Sequence, residues 1–126
     1  MSHLSTVKTQ VKDLAALTDA LAEMGFTLVM GGTVSAAGQT MSVDASMTLP
    51  SGRVAGFKRT ADGTYEMVTD WYYVQRELGN SAQFTQRLQQ MYGVHKATRE
   101  ATVQGYTVQR ETDAQGVIRL TLSRAY

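Results

Sequence analysis

Phe84, Leu88, Met91, Val94, His95, Thr98 and Ala101 recur at spacings of three and four. That is the period of one helix face, and it predicts a long helix over residues 81–103. Asn80 followed by Gln83 reads as an N-cap with a capping box, and Gly105 stands just past the far end. A shorter helix is predicted from Leu14, Leu17, Leu21 and Met24, with Asp13 as its cap and Gly25 as its stop. Elsewhere the pattern has the period of strands. His3 to Val11 is rich in Thr and Val, and Phe26 to Met30 is a continuous apolar run of strand length. Strand, helix and strand within about thirty residues have the size of a β-α-β unit.

Met41, Val43, Ala45, Met47 and Leu49 alternate with Ser42, Asp44, Ser46 and Thr48, which predicts one strand with a wet face. Pro50-Ser51-Gly52 turns the chain into a strand over Val54–Thr60, and Ala61-Asp62-Gly63 turns it again into Thr64–Asp70. These three strands make an antiparallel meander. Tyr106 to Arg110 and Val117 to Ser123, joined by Asp113-Ala114-Gln115-Gly116, predict a terminal hairpin. Gly31 to Gln39 holds three glycines and small residues, so it reads as a loop. It lacks the Gly-x-x-x-x-Gly-Lys-Ser/Thr pattern of a phosphate cradle. The expected architecture is α+β, one domain over 1–126, with two helices on one face of a twisted, antiparallel-rich sheet.

Composition adds mainly exclusions. The chain of 126 residues has no cysteine, which removes disulfides, zinc fingers and thiol nucleophiles from consideration. Its formal charge of +1 gives no basic run, so the electrostatic footprint of a nucleic-acid binder is missing. No apolar stretch approaches the roughly 20 residues of a bilayer span, and no charged-then-apolar leader is visible. The cytoplasm is the expected location and membranes are not expected partners.

Candidate chemistry is thin. His3 and His95 are the two histidines, and Asp70 is a third polar residue that could join them in a metal or acid–base cluster. No pair has ligand spacing, so the expectation for His95 is a half-buried ring bonded to backbone, with no metal ligand, catalytic residue or cofactor assigned. Met1-Ser2-His3 could chelate copper or nickel if Met1 were retained. Trp71, Tyr72 and Tyr73 form the most informative run. Three consecutive aromatics cannot all face one core, because helix and strand periods both split them. At least one ring should face outward, where Trp and Tyr supply most binding hot spots. Stacking on single-stranded nucleic acid would need basic neighbours, and only Arg76 is near in sequence.

Met-Ser-His-Leu-Ser-Thr-Val-Lys-Thr-Gln-Val-Lys-Asp resembles the opening of a hypothetical chloroplast open-reading-frame family, number thirty-five, also catalogued as domain of unknown function 1257. Gly25-Phe26, Asp70-Trp71, Gln90-x-Tyr92-x-Val94 and Gly105-Tyr106-x-Val108 continue the resemblance in order. Gly31 to Met47 is less typical, and Leu4 stands where Phe is usual; both imply a divergent member, bacterial or phage rather than plastid. The resemblance implies a protein without established catalytic activity, and an accessory or adaptor role beside an ATPase of the AAA+ type. Three functions follow as expectations. The first is a non-enzymatic interaction module using Trp71, Tyr72 and Tyr73. The second is a ligand-binding, metal-binding or catalytic protein with a pocket near His3, Asp70 and His95. The third is a nucleic-acid-associated accessory protein of phage or host. Pairing of sheet edges between copies of the chain is a further expectation.

Overall fold

Five antiparallel strands form the main sheet in the computed structural model, which describes residues 3–124. In chain order the elements are β1 (Ser5–Lys8), α1 (Leu14–Glu23), β2 (Val29–Met30), β3 (Thr33–Ala36), β4 (Gln39–Ser42), β5 (Ala45–Thr48) and β6 (Val54–Arg59). There follow β7 (Tyr65–Thr69), α2 (Trp71–Leu78), α3 (Ser81–Val103), β8 (Tyr106–Thr112) and β9 (Ile118–Arg124). The main sheet runs β1-β7-β6-β5-β2. The chain is α+β, as the pattern predicts, with three helices among the described residues rather than two.

The meander over β5, β6 and β7 forms where alternation and turn residues place it. Strands β1 and β2 take the two opposite edges, so α1 crosses the width of the sheet between them. The strand-helix-strand unit is therefore split by the meander. On one face, Met47, Ala55, Phe57, Tyr65 and Met67 from the sheet meet Leu17 and Leu21 of α1, Val74 and Leu78 of α2, and Phe84 and Leu88 of α3. Full burial of each large apolar side chain stabilises by about 1.5–3 kcal/mol, so this layer is the main source of cohesion.

The opposite face has a cover that the sequence pattern conceals. The segment read as a loop is the hairpin β3–β4, turned by Ala37 at φ 49° and Gly38 at φ 80°. Two successive positive φ values match the twist of a two-residue hairpin turn. Val34 on β3 and Val43 close over Val68, with Leu4, Met41 and Val54 around them. The single strand expected over 41–49 is accordingly broken. The Val43 amide donates to Gly32 O at 3.0 Å and the Asp44 amide to Phe57 O at 3.0 Å, so the chain changes partner between these residues. Met41 and Val43 then serve the hairpin face, while Met47 and Leu49 serve the helix face.

Helix α3 is a shared wall. The Asn80 side chain accepts the Gln83 amide at 2.8 Å and starts it. The Tyr92 hydroxyl accepts the amides of Lys12 and Asp13 at 3.2 and 2.9 Å, which fixes the entry into α1. Gln90 donates to Gly116 O at 3.1 Å, which fixes the terminal hairpin β8–β9. That hairpin is a separate sheet and does not extend the main one.

Three carboxylates of the α1 region clamp this wall. Asp13 pairs with Lys96 at 2.9 Å and Asp19 with Arg99 at 2.6 Å. Glu23 takes the Arg110 guanidinium in two bonds, at 2.7 and 2.9 Å, and the His95 ring at 2.8 Å. The hydrogen bond from Lys96 holds the Asp13 carboxyl below the usual 3.8, that from Arg99 does the same for Asp19, and that from Arg110 holds Glu23 below 4.5. Depressed folded values mean that the unfolded chain binds more protons in acid, so the clamp contributes fully above those usual values and is lost as pH falls through the folded ones. The urea midpoint should therefore drop between about pH 5 and about pH 3, and the combined Asp19→Asn and Glu23→Gln variant should show a shallower drop over the same window.

Candidate functional site

Helix α2 turns the aromatic run into two faces. Residues 71, 74 and 78 lie on one side of the helix, and Val74 and Leu78 are buried there. Trp71 is half-buried against the same core, its ring 6.3 Å from that of Phe84. Tyr72 and Tyr73 point the other way and are 63% and 41% exposed. The two phenol rings meet edge to face at 5.0 Å, a favoured aromatic geometry. The outward face expected of the run is thus Tyr72 and Tyr73, with Trp71 belonging mainly to the core.

An arginine completes this face. The Arg53 guanidinium lies 3.9 Å from the centre of the Tyr73 ring, a cation–π stack worth about 0.5–1 kcal/mol where exposed. Glu77 of α2 accepts the Ser51 amide at 3.2 Å and also its hydroxyl, so the turn that carries Arg53 is tied to the helix that carries the tyrosines. Ser51, Arg53, Tyr72, Tyr73, Arg76 and Glu77 line an open cleft of about 510 Å³. Arg53 and Glu77 are absent from the candidates read in the sequence, yet the meander implies their position. Gly56 pairs with Val68, and continuing that register backwards brings the turn before β6 beside the end of β7, where α2 begins.

Asp70 sits immediately behind this cleft. It is only 6% exposed, and its Oδ1 has no hydrogen-bond partner in the protein. Although it occupies the N-cap position of α2, its side chain makes no capping bond. A carboxylate at a helix N-terminus gains about 0.3–1 kcal/mol from the helix dipole. Removing an unpaired carboxylate from water costs several kcal/mol, so the helix alone does not account for its burial. Asp70 lines a cavity of about 240 Å³ between the start of α2 and strand β3, and Arg53 lines both this cavity and the tyrosine cleft.

His3, Asp70 and His95 have separate surroundings. His3 is exposed near the start of β1. The His95 ring bonds the Glu23 carboxylate, a side-chain partner where backbone was expected. The cavity at Asp70 includes neither histidine. Among the described residues no group of three His, Cys, Asp or Glu could hold a metal ion. Met1 and Ser2, the other members of the suggested copper chelate, lie outside the described residues. No helix among the described residues is long and apolar enough to cross a membrane.

A family model described as "Protein of unknown function (DUF1257)" matches residues 20–121. The matched span contains Gly25-Phe26, Asp70-Trp71, Gln90-x-Tyr92-x-Val94 and Gly105-Tyr106, while the first thirteen residues lie before it. No curated protein and no solved structure matches the chain.

Proposed function

The chain belongs to the DUF1257 family, and on that premise we propose that it works as a non-enzymatic interaction module whose docking face is centred on Tyr72 and Tyr73. The observation that carries this reading is the exposed tyrosine pair with Arg53 stacked on it. Tyrosine and arginine are enriched among residues that dominate protein interfaces. The face is also held in place before any partner arrives, because Glu77 fixes the turn that presents Arg53. Such preorganisation lowers the ordering cost of binding. The partner to which the family resemblance points is a complex containing an ATPase of the AAA+ type.

Affinity capture from the native host, with the parent chain and the Tyr72→Ala, Tyr73→Ala double variant compared side by side, tests the reading. The parent should retain a partner that the variant loses, with affinity lowered by about 2 kcal/mol or more, which is roughly thirtyfold. Both rings lie outside the core, so the variant should still melt cooperatively, less stable than the parent by about 1–2 kcal/mol for the lost ring pair and Arg53 stack. Equal capture by the two proteins would refute the docking face.

One observation favours a second reading. Arg53 adds a guanidinium to Arg76 beside the two rings, the combination on which single-stranded nucleic acid stacks. Binding of that kind would weaken steeply with salt, whereas a protein partner held by aromatic contacts would not.

A further inference from the structure

We propose that the chain forms a two-fold dimer by pairing β9 antiparallel with β9 of a second copy, so that two terminal hairpins become one four-stranded sheet. This surface is separate from the tyrosine face. The hairpin stands apart from the main sheet, and two strands alone make a marginal sheet. Its inner strand is β8, which packs on α3 and holds Glu23 of α1 through Arg110. Its outer strand is β9, whose far edge has no strand beside it among the described residues.

The ladder shows which backbone groups face that edge. The Asp113 amide donates to Val117 O at 3.0 Å, and the same register places Gln109 opposite Thr121. Hydrogen-bonded and non-bonded pairs alternate along an antiparallel ladder. The peptide groups of Arg119, Thr121 and Ser123 therefore point to β8, and those of Ile118, Leu120, Leu122 and Arg124 point outward. The side chains of Ile118 and Leu120 line an open groove of about 590 Å³ with Gly93 and Val94 of α3. Leu122 shares their face and is 48% exposed. An edge with free peptide groups beside an incompletely covered apolar row accepts another strand.

The pattern of β9 selects a second copy as that strand. Pairing centred on Thr121 overlaps the whole of Ile118–Arg124. Leu120 then faces Leu122 of the second copy on the groove side, and these are residues whose peptide groups point outward. On the same face Ile118 meets the stem of Arg124, and on the polar face Arg119 meets Ser123. No two like charges stand opposite each other, the arrangement that would destabilise the pairing.

Sedimentation of the full chain at up to about 100 µM should show a dimer. Leu122→Pro removes an outward amide and spares the hairpin's own ladder, so it should weaken the dimer at least about tenfold. Thr121 lies on the two-fold axis, in a non-hydrogen-bonded pair whose Cα atoms are about 4.5 Å apart, within reach of a disulfide. The chain has no cysteine of its own. Thr121→Cys in an oxidised glutathione buffer should therefore give a covalent dimer. Arg119→Cys should not, because residue 119 opposes residue 123 in this register. If Leu122→Pro does not fold, these two variants decide the question, since both positions are exposed on the polar face. A parent that stays monomeric at that concentration would overturn the proposal and leave the edge to a strand of another protein. So would a dimer that Leu122→Pro does not weaken, or one that cross-links equally well from positions 119 and 121.

Discussion

Leu88→Asp is expected to leave the chain without a cooperative melting transition. Leu88 is fully buried in the larger of the two apolar clusters of the fold, together with Phe57 and Met67 of the sheet and Leu17 and Leu21 of α1. Removing such a side chain alone costs about 2–5 kcal/mol. Placing a carboxylate there adds the cost of a buried charge with no partner, several kcal/mol more. The sum rivals the whole stability of an ordinary domain, about 5–15 kcal/mol. Circular dichroism on heating reads the outcome directly. Leu88→Met keeps volume and polarity and should stay within about 1.5 kcal/mol of the parent. A Leu88→Asp protein melting with the parent would place α3 outside the core.

Gly56→Ala is the second large effect, and it comes from space rather than charge. A Cβ at this position would meet Val43 Cγ1 at 2.5 Å and Val34 Cγ2 at 2.7 Å, both methyl groups of the cover over the sheet. No relaxed contact is that short, so the β3–β4 hairpin must shift. Overpacking of this kind costs about 1–3 kcal/mol. Amide exchange should accelerate in β3 and β4 more than in β5 to β7. Adding Val43→Ala should recover part of the loss, because the two positions share one contact and their effects cannot be additive. Purely additive effects would mean that the crowding is relieved elsewhere.

The long helix, the first helix and the last two meander strands were legible because their signals are local: a stripe, a cap, an alternation and a turn residue. The signal for α2 was equally local but masked. Trp71, Val74 and Leu78 form a helical stripe, while the Trp-Tyr-Tyr opening favours strand propensity and the element has only eight residues. The β3–β4 hairpin was hidden because Val34 is the one buried residue on its two strands, and the positions around it are mostly small or polar and exposed, so no apolar alternation shows. At the candidate site, the outward tyrosines followed from the impossibility of burying three consecutive rings on one side. Arg53 did not follow from local spacing, because it reaches Tyr73 only through the register of the meander. The burial of Asp70 also had no local signal, since a carboxylate at the start of a helix is ordinarily exposed.

The family motif in α3 acquires physical content from these contacts. Gln90 anchors the terminal hairpin, Tyr92 anchors the entry to α1, and Val94 is buried between α3 and that hairpin. Gln90 and Val94, one turn apart, thus face the hairpin, and Tyr92 between them faces α1.

The edge position of β1 also bears on the order of events during synthesis. Ser5 pairs with Thr69 and Lys8 with Glu66, so β1 leaves the ribosome well before its partner β7. At about 5–20 residues per second, β1 waits several seconds for that partner. The intervening meander can pair locally in the meantime, since its contacts close short loops and the β1–β7 contact closes a long one. The main sheet is therefore expected to grow from its middle, with the N-terminal strand docking last on a surface already assembled.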